Sequence, residues 1–235
     1  MSELRIALVA EGPTDHIIIE AALKAIVDCP FILTPLQPEP TYLDGGGGTS
    51  GWCGVVKWCH AIGQNHHGPL DSHPLLSPMP FDLIILQIDA DVADKTYDDC
   101  SLSVSAGWKS LPCPMPCPPS VGTCDELRQV VTSWLGPVTP GPKTIICIPS
   151  KATDTWLLVA ILGNPEADIE CVPKPDEKLG QLPKAQRIKK TKRNYFANAD
   201  TITKRWCTIT SHCSQALTFQ LNVQQIVGRH CPPIS

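Results

Sequence analysis

At 235 residues, with 43% hydrophobic and 18% charged side chains, the chain can bury one sizeable core, or one domain plus a small appendage, and belongs to the globular soluble class. Its net charge of −4 excludes general electrostatic attraction to nucleic acid, so any such binding has to use a local basic patch or metal-bridged phosphates. No apolar run approaches the roughly 18 to 20 residues of a membrane span, and the N-terminus carries charge at Glu3 and Arg5 with no signal-peptide cleavage pattern; a cytoplasmic protein with no membrane partner is expected.

Residues 4–10 are a short apolar run and predict a first strand, which delivers Glu11 at its carboxyl end. Gly12-Pro13 forces a turn, Thr14 is a candidate cap, and a helix over 15–27 follows with Ile17, Ile18, Ala21, Ala22 and Ala25 at helical spacing. Asp15 then lies in the helix's first turn. Phe31 to Leu36 predicts a second strand, and the four glycines Gly45 to Gly48 predict a flexible loop, with phosphate contact as the alternative. Trp52, Val55, Val56, Cys59 and Ile62 mark the core face of a helix over 52–63, where Trp52 packs rather than stacks on bases.

His60, His66, His67 and His73 fall among prolines and glycines and read as a solvated loop, with metal binding as the alternative. Leu83 to Asp89 is the next apolar run, ending in Asp89-Ala-Asp91. The connection over 92–124 is far longer than is usual and has to be functional or internally stapled; Cys100, Cys113, Cys117 and Cys124 make a candidate structural zinc site there, without a standard ribbon spacing. The 12 cysteines are scattered among predicted strands and helices in a large chain, so most are expected to be reduced. A helix over 124–135, a strand over 144–148 and a helix over 153–162 complete an α/β pattern: a mostly parallel sheet with helices on both faces.

Beyond residue 163 the composition shifts to a smaller, helical, basic extension over 164–235, packed on the domain formed by 1–163. From Lys178 to Arg193 there are seven basic residues and no acid. Lys184, Arg187, Lys189, Lys190, Lys192 and Arg193 are the candidate phosphate-backbone contacts, with Tyr195, Phe196 and Trp206 nearby and Trp206 expected in the core. One or two helices over 199–227 close the chain.

The chemistry lies in the acids at strand ends. Carboxylates gathered on adjoining strand tips repel one another, so a divalent cation that neutralises them is the leading expectation. Oxygen-only ligands suit Mg²⁺ or Mn²⁺. Glu11, Asp89 and Asp91 are assigned as ligands, since period-two strand geometry lets residues 89 and 91 share one side. Glu11 has general base as its alternative role. Asp15 and Asp154 would complete a second metal or its water shell, and Lys151, with Ser150 as a hydrogen-bond donor, is the cation expected to stabilise developing charge. Asp94, Asp98, Asp99 and Glu20 read as solvated surface.

Glu11-Gly-Pro-Thr-Asp15 at a strand-turn-helix, a later strand ending Asp89-Ala-Asp91, and a third strand followed by Ser150-Lys151-Ala152-Thr153-Asp154-Thr155-Trp156-Leu157-Leu158 occur in that order. Together they resemble the Toprim domain, and among its members small stand-alone proteins like the overcoming-lysogenization-defect (OLD) nucleases. The resemblance spans residues 4 to about 162, with Asp154 where that family often has Glu. It implies a Toprim fold, Mg²⁺- or Mn²⁺-dependent cleavage of DNA or RNA, and, by association, prokaryotic defence against phage or plasmids beside a partner that senses or loads substrate. Two other readings stay open. Leu86-Gln-Ile-Asp89-Ala-Asp91-Val also fits a haloacid-dehalogenase phosphatase with Asp89 as nucleophile, and the acids could hold metal in a non-catalytic binding or regulatory module.

Overall fold

Strand β1, Leu4–Val9, has apolar side chains on both of its faces, and such a strand is stable only when both are covered. The computed structural model, which describes residues 3–38, 50–64, 66–76, 78 and 80–228, covers both. Leu4, Ile6, Leu8 and Ala10 enter one core, Ala7 and Val9 the other. Around β1 the main sheet runs β2 (Phe31–Gln37), β1, β4 (Leu83–Gln87), β6 (Thr144–Cys147), every neighbour parallel. A separate pair, β3 (Gly68–Pro69) and β5 (Val138–Thr139), is also parallel. The result is the expected α/β architecture with helices on both faces.

One face carries α1 (Pro13–Ile26), α4 (Asp154–Leu162) and the C-terminal helices α5 (Pro175–Gln181), α6 (Lys192–Lys204), α7 (Trp206–His212) and α8 (Ser214–Val227). The other carries α2 (Trp52–Gly63) and α3 (Val121–Trp134). The C-terminal segment contributes Tyr195, Ile202, Trp206, Phe219 and Val223 to the same core as α1 and α4, with Trp156 edge-on to Trp206 at 5.4 Å. Burying large apolar side chains of this kind is worth about 1.5–3 kcal/mol each. This segment is therefore one of the layers that cover the sheet.

Two local expectations are corrected. Pro13 occupies the first turn of α1, the N-cap residue Gly12 provides no side-chain cap, and Thr14 is buried instead of capping. Strand β4 stops at Gln87, so Asp89 lies beyond it as the N-cap residue of a one-turn 3₁₀ helix, Ala90–Asp94, and Asp91 lies within that turn. The period-two reason for grouping these two acids does not apply. The glycine run Gly45 to Gly48 lies outside the described residues.

The 92–124 connection is stapled, but to its neighbours. Cys100 is bonded to Cys53 of α2, and Cys117 to Cys171 beyond α4. Within the connection, Tyr97 donates its hydroxyl to the Lys109 carbonyl (2.7 Å) and accepts from the Trp134 indole (2.9 Å). The four-cysteine zinc set is thereby overturned: Cys100 and Cys117 have no thiolate to give, and burial pushes the Cys124 thiol up to about 12 and raises that of Cys113. Of the described cysteines, Cys59, Cys113, Cys124, Cys147, Cys207 and Cys213 are free thiols, while Cys29, Cys53, Cys100, Cys117 and Cys171 are disulfide-bonded. Such bonds persist in oxidising compartments, which removes the cysteine argument for the cytosol. Among the described residues, no helix is long and apolar enough to cross a membrane.

Peptide mapping without reductant is expected to find Cys53 joined to Cys100 and Cys117 to Cys171. Full reduction is expected to lower unfolding stability by about 2–4 kcal/mol per bond; free thiols at those four positions in the native protein would contradict the fold described.

Candidate metal centre at the carboxyl edge of the sheet

From β1 the chain crosses to β2 on one side and then to β4 on the other. Crevices beyond the carboxyl ends of strands at such a reversal are where open α/β sheets bind ligands. Glu11 follows β1 and Asp89 follows β4, on either side of that crevice. Asp15 enters from the first turn of α1, and Asp154 is the first residue of α4. Gly51, at φ +71°, a backbone angle that favours glycine, sends its amide to the Glu11 carbonyl (2.8 Å) and starts α2 beside the site.

Protein donors fix one oxygen of each central acid. The Asp89 amide donates to Glu11 Oε1 at 2.7 Å. Asp89 Oδ1 accepts from Gln87 Nε2 at 2.8 Å and from the Thr153 amide at 3.1 Å, while the Thr153 hydroxyl donates to Asp15 Oδ1. Gln87 Oε1, its side-chain carbonyl oxygen, accepts from the Glu11 amide at 3.3 Å. Among the described residues, Glu11 Oε2, Asp89 Oδ2 and both oxygens of Asp91 accept no hydrogen bond. Asp91 stands exposed at the rim, its amide held by the Lys151 carbonyl at 3.1 Å.

Crowding of these acids shows in their proton affinities. Burial, then Asp15 and Asp91, push Glu11 up to about 8, against the Asp89 amide and Lys190. Burial and Asp154 push Asp15 up to about 6, against the Thr153 hydroxyl and Lys190. Asp89 is raised well above the usual carboxylate range by burial first and then by Asp15, Glu11, Asp91 and Asp154. Asp91 is raised too, by desolvation and by Asp94 and Asp154, with Lys95 and Lys190 opposing.

Lys190 acts on all four of these carboxylates. Its Nζ donates to Asp154 Oδ2 at 2.8 Å, and Tyr195 donates its hydroxyl to Asp154 Oδ1, so both oxygens of Asp154 are engaged by the C-terminal layer. Burial works against the charge on Lys190, but Asp154, Asp15 and Asp89 outweigh it and raise its pKa. Lys151, the cation expected from the sequence, is half-buried, and its ammonium lies within electrostatic reach of Cys124. Lys184, Arg187, Lys189, Lys192 and Arg193 are exposed on the surface.

The donor set fits a hard divalent cation in its chemistry, being all oxygen and short of positive charge. It does not fit as a closed cage: among the described residues, no three His, Cys, Asp or Glu side chains are grouped so as to hold a metal ion. Three of the loop histidines are engaged away from the acids. His73 Nε2 meets the Ile62 carbonyl at 3.0 Å, His66 meets that of Pro69 at 3.3 Å, and His60 lies edge-on to Trp108 at 5.3 Å.

Sequence reasoning missed Gln87 and Thr153, both fully buried and both bonded to the acids. A lone amide inside an apolar strand was the available signal for Gln87. Comparison of the chain with protein-family models, with curated proteins and with solved structures found no match.

Folded Glu11 keeps a proton that the unfolded chain has already lost, so between the ordinary carboxylate range and about pH 8 its contribution to stability falls as pH rises. Glu11→Gln keeps the acceptor for the Asp89 amide and removes this titration. In EDTA the variant is expected to exceed wild type at pH 8 by on the order of 1–3 kcal/mol, a gain that disappears by about pH 4.5. Denaturant titrations at the two pH values test this; a pH-independent difference would contradict it.

Proposed function

We propose that the chain is a metal-dependent phosphodiesterase of Toprim type that cleaves DNA or RNA. The reading is carried by one observation: four carboxylates with raised proton affinity gather at the carboxyl ends of β1 and β4, where the strand order of a parallel sheet reverses, with oxygen lone pairs left over. Mg²⁺ or Mn²⁺ bound by Glu11, Asp89 and Asp91, with Asp15 beside them, would neutralise the scissile phosphate and activate water.

The chain's own residues supply the rest. Gln87 and Thr153 hold Asp89, and Thr153 also holds Asp15, so that these carboxylates keep their orientation when a polyanion enters. Lys190, paired with Asp154 and acting on the other acids, takes the role assigned to Lys151 from sequence and would offset charge that develops on a leaving oxygen. Lys184, Arg187, Lys189, Lys192 and Arg193, exposed on the same segment, provide the cations a phosphate backbone requires despite the net charge of −4. A role in defence against phage or plasmids, beside a loading partner, is the setting the family resemblance suggests.

Purified protein incubated with labelled single- and double-stranded DNA and RNA is expected to cleave at least one of them in Mg²⁺ or Mn²⁺ and none in EDTA. Asp89→Ala/Asp91→Ala is expected to reduce cleavage to the EDTA background. Lys189→Ala is expected to weaken binding with little dependence on sequence and to lower the salt slope by about one. Metal-dependent thermal stabilisation with no turnover of any of the four substrates would favour the binding-module reading instead.

A further inference from the structure

Glu170 lies beyond α4, next to the Cys117–Cys171 bridge, and was not singled out by any sequence signal. Its carboxylate accepts four donors: Ser150 Oγ (2.6 Å) and the Gln215 amide (3.1 Å) at Oε1, Ser214 Oγ (2.8 Å) and Ser120 Oγ (3.1 Å) at Oε2. A carboxylate has about four acceptor sites, so none is left for a substrate, a metal or a proton in transit. Ser120 and Ser214 also lie 3.1 Å apart, but with each hydroxyl proton aimed at Glu170 this contact is proximity alone.

The three serines differ in what they anchor. Ser120 precedes α3, and Ser214 begins α8. Ser150, 4% exposed, belongs to the turn after β6, whose backbone reaches the acid site repeatedly. In that turn the Pro149 carbonyl accepts from the Ala90 amide at 3.1 Å, and the Lys151 carbonyl accepts from the Asp91 amide at 3.1 Å. The Thr153 amide donates to Asp89 Oδ1, and its hydroxyl to Asp15 Oδ1. The side chain that ties this turn to the scaffold behind it is Ser150.

We infer that Glu170 is a positioning residue for the acid site, acting through Ser150 to hold the 149–153 turn against Asp15, Asp89 and Asp91. Its effect on metal binding rests on the functional reading above; its effect on the turn does not. Groups that orient metal ligands from behind typically change affinity 10–100-fold when removed.

The test compares Ser150→Ala with Ser120→Ala and Ser214→Ala, which each remove one hydroxyl from the same carboxylate, and with Glu170→Gln. Two quantities are read: hydrogen exchange at the Thr153 and Asp91 amides in metal-free protein, and Mn²⁺ affinity. Ser150→Ala is expected to speed exchange at both amides and weaken Mn²⁺ binding by about tenfold. The other two serine variants are expected to leave both within about twofold while lowering the melting temperature as much, and Glu170→Gln is expected to retain part of the effect, since its amide still accepts from Ser150. Wild-type exchange at Thr153 in Ser150→Ala, or equal changes in all three serine variants, would overturn the inference. If the wild type binds no Mn²⁺, the exchange result still decides it, and the metal reading alone falls.

Discussion

Four acidic side chains brought to one end of a parallel sheet set the terms for everything around them. Like charges at short range, partly withdrawn from water, are costly to ionise, and the chain meets that cost in three ways. Glu11, Asp15, Asp89 and Asp91 have raised proton affinities. Backbone and side-chain donors from Gln87, Asp89 and Thr153 occupy selected oxygens. Lys190 brings a positive charge from a segment more than 30 residues further along the chain than Asp154, given their separation of 36.

The fold is arranged so that these responses are available. Strands with both faces buried fix the positions of Glu11 and Asp89, because β1 and β4 are central and their register is set by two apolar cores. The C-terminal helices contribute twice: Trp206 and Phe219 pack on Trp156 of α4, and Tyr195 and Lys190 bind Asp154 at the start of the same helix. Packing and charge compensation are thus supplied by one layer. Asp154, buried and engaged through both oxygens, joins that layer to the sheet's carboxyl edge.

Much of this was legible in the sequence where the signal was local. Apolar runs of strand length, the turn at Gly12-Pro13 and the helical spacing from Trp52 to Ile62 each fix a structure within a few residues, and the structure places those elements within a residue or two of expectation. The acids at strand ends were legible for the same reason. What was not legible depends on contacts distant in sequence. Lys151 and Lys190 look alike as lysines near a motif, and only the folding of α6 onto α1 and α4 decides which one faces the carboxylates. Cysteine spacing within 100–124 suggested a local cluster, whereas Cys100 and Cys117 pair across separations of 47 and 54 residues. Asp89 and Asp91 were grouped on the assumption that the strand continued through them, and it ends at Gln87.

The account stands or falls on whether this crevice takes a hard cation. Crystals soaked in Mn²⁺ and measured at its absorption edge provide the most direct test. Anomalous density within about 2.0–2.6 Å of oxygens from Glu11, Asp89 and Asp91 is the predicted result. Maps with no such peak, and Lys190 still paired with Asp154, would contradict it and leave the carboxylates as a protonated, purely structural cluster.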